Sequence, residues 1–410
     1  MTIHVVGAGM AGLSAAIALR ALGPDLVLHE AARQAGGRCR SWTDPVLDAT
    51  IDNGTHVIVG ANREVARFVA TIGTRDDLHW FESGVAFRDL GDDARWSVTT
   101  AGDVLKLGRR WGDTLWREAA CALRLGVAPA GSTIESFLAP GSAIAHRFWR
   151  PLARAVMNTD PVVASAGPFA RVLRQTLAKG AAAMRVGIVR RNLAASFVDP
   201  ALDVVQRAGI TLRLGARLRG VERAGARITA LRFDAGDVAI GSVDRVILAL
   251  SPWDLAHCVP DLAPALEPSA IVNLHARVPG LKSQAAPGLF GIIGGTAEWL
   301  VVRGDIVSAT VSAADDLAGR DPPAIAAQLW HDVARVLDLD AEMPRQLRIV
   351  KEHRATPRQT PAFERLRPGA ATRFENLVLA GDWVEPGLPC TLEAAIASGR
   401  HAAALAHPEN

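Results

Sequence analysis

Two hydrophobic periods alternate at the start of the chain. An apolar run over residues 3–7 reads as a strand, Ala, Leu and Ile positions from Met10 to about residue 22 recur at helical spacing, and Asp25–Glu30 is strand-like again. The glycines of Gly7-Ala-Gly-Met-Ala-Gly12 mark the turn between strand and helix, which makes the segment a βαβ unit. The far end has a similar grammar: an apolar strand over 376–380 ends in Gly381-Asp382, a loop follows with Pro386, Gly387 and Pro389, and a helix is predicted over Thr391–Ala404. Between the ends, 104–195 is mostly helical. A helix at Ala201–Ala208 leads into short strands at Thr211–Leu214, Arg217–Glu222, Arg227–Phe233 and Val243–Leu250, a meander returning to the first sheet. Strands over 270–312 break at Pro279-Gly280 and Gly294-Gly295 before a helix around Pro323–Leu337. No repeat or low-complexity tract interrupts this order. The interleaving predicts an α/β protein of two discontinuous domains, one from 1–75, 200–255 and 365–410, the other from 76–199 and 256–364.

The first turn carries chemistry. GxGxxG after a strand and before a helix is the dinucleotide fingerprint: Gly7 permits the tight turn, Gly9 lets a pyrophosphate approach the backbone, and Gly12 allows close helix–strand packing. Glu30, eighteen residues after Gly12, ends the second strand, where a carboxylate accepts from both hydroxyls of an unphosphorylated ribose. Both FAD and NAD use this arrangement. The choice turns on Gly36-Gly37-Arg38, which suits a second backbone approach to a diphosphate with a cation beside it, although by residue type it is also an ordinary turn. Asp382 suits a ribityl or ribose hydroxyl, or caps a turn.

Composition trims the alternatives. The chain has 410 residues, 49% hydrophobic and 21% charged, ample for two or three packed domains. Its net charge of +3 gives no footing for nucleic-acid binding, and its cations are almost all arginine. Cys39, Cys121, Cys258 and Cys390 stand singly, with no metal-ligand spacing, so a reducing compartment and no structural metal are expected. No signal peptide and no apolar run of spanning length is evident, and the expectation is a cytoplasmic protein.

With these residues in view, the chain resembles the FAD-dependent amine oxidase and phytoene desaturase superfamily, and within it the hydroxysqualene dehydroxylase group, over nearly its whole length. The wider likeness rests on the fingerprint, Gly36-Gly37-Arg38 and Leu379-Ala-Gly-Asp382. The narrower rests on Ile51 to Gly60, Phe148 to Leu152, Met157 to Pro161, Ala164 to Ala166, Val172 to Arg174, Arg354 to Thr356, Gly387 to Glu393, and Ser398-Gly399. Thr55 stands where glutamine is expected, Cys390 where alanine is commoner, and Ala394 in place of the usual glycine. The resemblance implies a Rossmann-like FAD-binding domain of amine oxidase type with a mixed-sheet and helical substrate domain. The activity implied is reductive dehydroxylation of hydroxysqualene to squalene, in squalene and hopanoid synthesis, with an external electron donor.

By the same resemblance Asn53, Gly54 and Thr55 run beside the flavin ring, Leu218 offers its backbone to adenine, Gly381, Thr391 and Leu392 join Asp382 at the flavin, and His56 is the candidate general acid. The alternative for His56 is a hydrogen bond to flavin or backbone without proton transfer. Asn158 and Asp160 either line a substrate pocket or cap a helix. Val104–Val127 carries Trp111, Leu115, Trp116, Leu123 and Leu125 among Lys106, Arg109, Arg110, Arg117 and Arg124, opposed by Asp113 and Glu118. That is the make-up of a membrane-surface helix, or of an amphipathic helix packed on the core. Rival activities are a phytoene-type desaturase and an amine oxidase, the latter disfavoured because the chain has no tyrosine for an aromatic cage. A non-catalytic FAD-binding subunit or prenyl-lipid carrier is the rival of another class.

Overall fold

The computed structural model describes residues 1–23, 25–129, 131–281, 288–385 and 387–407, with the side chains of Leu115, Arg117, Glu118 and Ala178 left aside. Pro386 and those three helix side chains, singled out above, therefore lie outside the described set. The architecture is α/β. Five parallel strands lie in the order Thr211–Leu214, Asp25–Glu30, Thr2–Val6, Arg245–Leu248, Leu377–Leu379. Ile3 and Val5 have no exposure, because helices cover the sheet, and the first helix, Met10–Leu19, is buried on nearly every side.

Close packing around that helix sets its glycines. A Cβ on Gly12 would stand 1.8 Å from the Gly7 carbonyl oxygen, and one on Gly399, in the last helix Leu392–Ala406, 2.0 Å from that of Ala11. Ser14 Oγ also donates to Ile396 O at 2.8 Å. The two ends of the chain are thus fastened to each other across one helix pair.

A second, seven-stranded mixed sheet runs Leu347–Pro357, Pro268–Arg277, Ile306–Val311, Trp299–Arg303, Gly288–Ile293, Val85–Asp89, Arg95–Val98. Alternation along Pro268–Arg277 decides its faces. Val272, Leu274 and Ala276 join Ile325, Leu329 and Val333 of the helix Pro322–Leu337 in one core, while Asn273 and His275 point the other way, toward the segment after residue 51.

The meander returns to the parallel sheet at Arg245–Leu248, as its spacing predicts, while its inner strands Leu218–Ala224, Arg227–Phe233 and Gly236–Ala239 pair among themselves as a three-stranded sheet. One expectation needs correction. Residues 104–127 are two helices, Ala101–Arg110 and Leu115–Gly126, because Thr100 and Asp103 build a capping box for the first and the chain turns at Gly112, with φ +81°. Among the described residues no helix is long and apolar enough to cross a membrane.

Candidate active site

The parallel strands end in a cradle of glycines. Gly7, at φ +104°, donates its N–H to His29 O at 2.7 Å, and a Cβ there would strike Ala249 O. Gly9 is different: its φ of −73° suits any residue, and a Cβ would meet nothing within 4 Å. The chain itself demands glycine at 7 and 12, whereas at 9 the demand comes from whatever approaches the open side. Gly36 and Gly37, at φ +106° and +57°, are the tight turn that the residue types allow, and it is laid against the first: Gly36 N–H donates to Ala8 O at 2.8 Å, and a Cβ on Gly37 would lie 3.3 Å from Gly9 Cα.

Glu30 is fixed at the cradle's edge. Its two oxygens accept from Ala8 N at 2.7 Å and Ala32 N at 2.8 Å, which orients the carboxylate and leaves lone pairs on both. Gly215 and Ala216 donate to the carbonyls of Ala32 and Glu30, so the chain reaches Leu218 from beside that carboxylate. The Leu218 side chain is buried, and its carbonyl accepts from the Cys258 thiol at 3.1 Å.

Arg38 joins the two ends of the chain. Its guanidinium meets Asp382 Oδ1 at 2.6 Å and Ala355 O at 2.6 Å, with Asp382 almost wholly buried. Gly381 N–H donates to Ser398 Oγ, and a Cβ on Gly381 would be 2.7 Å from the Trp383 indole nitrogen. Thr391 caps the last helix by accepting from Ala394 N, and Leu392 opens that helix. The cap needs only a backbone N–H from residue 394, which alanine supplies as well as glycine. Burial and the Asp382 charge push the Cys390 thiol well above its ordinary pKa, so it stays protonated.

Beside this latch runs the loop from Asp52 to His56, which has no regular structure after residue 52. Asp52 anchors it: Oδ1 accepts from Ser41 Oγ and Leu193 N, and Oδ2 pairs with Arg303 at 2.5 Å. Asn53 donates its amide to Glu352 Oε2 at 3.1 Å, and its carbonyl accepts from Asn273 Nδ2 at 3.1 Å. Thr55 Oγ1 is buried with no partner among the described residues, as expected of a hydroxyl that completes its bonding to a bound group. His56 is half-buried, with Nδ1 3.1 Å from Gly54 O. A carbonyl only accepts, so Nδ1 carries the ring proton and Nε2 is left free. Burial holds the imidazole pKa below its ordinary value.

Asn158 and Asp160 serve a helix end and the turn after it, one of the two roles their residue types allow. Asn158 ends the helix Arg150–Met157 at φ +43°, and its amide is spent on Ser269 O, Thr356 Oγ1 and the N–H of Ala313. Asp160 pairs with Arg154 at 2.5 Å and accepts from Val162 N. Both hold a turn. The sequence reading passed over Asn273, Glu352 and Arg303, although an asparagine amid Ile271, Val272 and Leu274 was a visible break in an apolar strand.

In comparison with known proteins, the profile of flavin containing amine oxidoreductases matches residues 10–280 and 300–407. Hydroxysqualene dehydroxylase of Rhodopseudomonas palustris is 38% identical over 98% of this chain and 98% of its own length. That of Zymomonas mobilis is 34% identical, again over 98% of each. Among solved structures, a putrescine oxidase variant superposes with a TM-score of 0.73 over 98% of this chain and 99% of that one. At 17% identity that likeness speaks to the fold alone.

Proposed function

Since the chain belongs to the flavin-containing amine oxidoreductase family and is similar end to end to hydroxysqualene dehydroxylases, we propose that it binds FAD and reduces hydroxysqualene to squalene. The observation that carries the cofactor reading is Gly9, where the protein leaves open the space a side chain would fill, beside Gly36, Gly37 and a fixed Glu30. In this reading Gly9, Gly36 and Gly37 face the diphosphate, Gly7 and Gly12 shape the turn that presents it, Arg38 stands beside it from its pair with Asp382, Glu30 takes the ribose, and the Leu218 backbone the adenine. Asn53, Gly54, Thr55, Gly381, Asp382, Thr391 and Leu392 hold the ring end. The segments 1–75, 200–255 and 365–410 then make the FAD domain, and 76–199 with 256–364 the substrate domain.

Reduced FAD supplies the hydride when bound. In the overall change the hydride reaches the carbon, the C–O bond breaks, and the hydroxyl leaves as water once protonated. His56 is placed to give that proton from Nε2, because Gly54 O keeps Nδ1 turned away. The depressed pKa makes its imidazolium scarce at neutral pH but a stronger acid, so turnover rises as pH falls. His56→Gln should keep FAD and lose most turnover, while unchanged turnover removes His56 from the mechanism.

The fingerprint occurs once, so an external donor reloads the flavin. The thirty-carbon substrate argues for work at a bilayer surface. Leu105, Trp116, Leu123 and Val127 are exposed on the helix pair with Lys106, Arg109 and Arg110, and we assign this face to anionic lipid. Trp111 serves the core instead, edge-on to Trp96 and under Arg147. Trp116→Ser with Leu123→Ser should cut co-sedimentation with anionic vesicles several-fold, and equal binding overturns the assignment.

The deciding experiment is anaerobic incubation of the dithionite-reduced holoprotein with hydroxysqualene, following flavin absorbance and product mass. One squalene per flavin reoxidised is expected. Flavin that stays reduced overturns the reading.

A further inference from the structure

Asn273 spends a buried amide far from any turn or cap. It lies within an apolar strand with no exposure, flanked by Val272 and Leu274, and polar groups at such places are costly unless fully bonded. Its bonds run in one direction. Thr310, its cross-strand partner, donates Oγ1–H to Asn273 Oδ1 at 2.7 Å, and Asn273 Nδ2 then donates to Asn53 O at 3.1 Å. The same amide nitrogen lies 3.4 Å from where a Cβ on Gly54 would stand. Because the Asn53 carbonyl can only accept, the amide nitrogen must face the loop, and Thr310 then donates to the oxygen on the other side.

The neighbouring strand makes a second hold. Glu352 Oε2 takes the Asn53 side-chain amide at 3.1 Å, so Asn53 is gripped at both its carbonyl and its side chain from adjacent strands of the seven-stranded sheet. Asn53 N–H donates to Arg40 O at 3.0 Å at the end of a short ladder, and beyond it the residues to His56 have no regular structure, so the remaining holds on Asn53 come from the seven-stranded sheet.

We propose that the Thr310–Asn273 pair is a positioning device: it sets the Asn53–Gly54 peptide against the flavin ring, and through Gly54 O it sets the His56 imidazole. The inference rests on the FAD reading above. The Asn53 carbonyl is satisfied by Asn273, so its peptide plane is fixed, and the next peptide carries the Gly54 oxygen that orients Nδ1. A shift of about 1 Å there is enough to cost on the order of a hundredfold in rate.

The test uses FAD-loaded Thr310→Val, Thr310→Ser and Asn273→Ala proteins. Thr310→Val keeps the volume and removes the donor, while Thr310→Ser restores it. Three readouts are taken on each: the visible flavin spectrum, the flavin midpoint potential, and the single-turnover reoxidation rate at saturating hydroxysqualene. Thr310→Val and Asn273→Ala should retain flavin, change its spectrum and potential, and slow reoxidation at least tenfold without raising the substrate concentration for half-saturation. Thr310→Ser should stay within threefold of the parent. Val307→Ala, in the same strand with its side chain in the other core, should lower thermal stability and leave spectrum and potential untouched. Parent-like spectra and potentials in Thr310→Val and Asn273→Ala overturn the proposal, and so does an equal spectral change in Val307→Ala. If the parent holoprotein does not act on hydroxysqualene, the substrate reading fails, and the spectrum and potential still decide the clamp.

Discussion

At the glycine cradle, the two turns lie within 7–38 and touch through main-chain groups, Gly36 N–H on Ala8 O and Gly37 against Gly9, and the outside contact on Gly7 is again a backbone one, Ala249 O. At the histidine loop the holding groups come from residues 40, 41, 193, 273, 303 and 352, and most of them act through side chains. Backbone contacts of the first kind tolerate sequence change wherever a glycine is kept. Side-chain holds of the second kind each depend on one residue and on the register of a strand, so that end can be retuned by single substitutions without rebuilding the fold.

Substitutions should separate the two ends, beginning with Gly12→Val. Its side chain has no room beside Gly7 O, so the apoprotein should fail to accumulate folded, by loss of soluble protein and of a cooperative melt. Arg38→Met comes next. It strands the buried Asp382 carboxylate and should cost about 3 kcal/mol in urea unfolding, part of which Asp382→Asn in the same chain should restore. No recovery would mean that the latch is held elsewhere.

Acid should act through buried imidazoles. His29 and His275 are each held near a pKa of about 4, mainly by burial, against an ordinary 6.5. The unfolded chain binds more protons in that interval, so their contribution is full above pH 6.5 and is lost as pH falls toward 4. His275 alone should account for about 3 kcal/mol. Unfolding free energy measured from pH 7 to pH 4 should fall, and His275→Asn should make the slope shallower by about one proton. The smallest effect on stability belongs to Gly9→Ala, which should leave the apoprotein melt within about 0.5 kcal/mol of the parent and still weaken FAD binding at least tenfold. A large loss of apoprotein stability would place the demand for glycine inside the chain, as at Gly12.

Alternation and glycine spacing made the parallel sheet legible, since Thr2–Val6, Met10–Leu19 and Asp25–Glu30 follow from local period and turn residues alone. The return of the meander to that sheet is legible as well, but the pairing of its inner strands into a separate sheet carries no local mark, and residues 104–127 read as one helix because composition does not register a break. His56 stood out as a residue type, but its free nitrogen is known only from the Gly54 carbonyl beside it.

The sequence by itself determined the βαβ start, the glycine at 12 that packs against Gly7 O, and the carboxylate at Glu30, because each depends on neighbours within a few turns of chain. Tertiary structure alone decided that Arg38 meets Asp382, that Asn158 closes a helix, and that Asn273 reaches Asn53. Those contacts join residues 344, 111 and 220 positions apart in the case of Arg38–Asp382, Asn158–Ser269 and Asn273–Asn53. Strand register brings such partners together, and register is set by the burial of whole faces, which no short stretch of sequence contains.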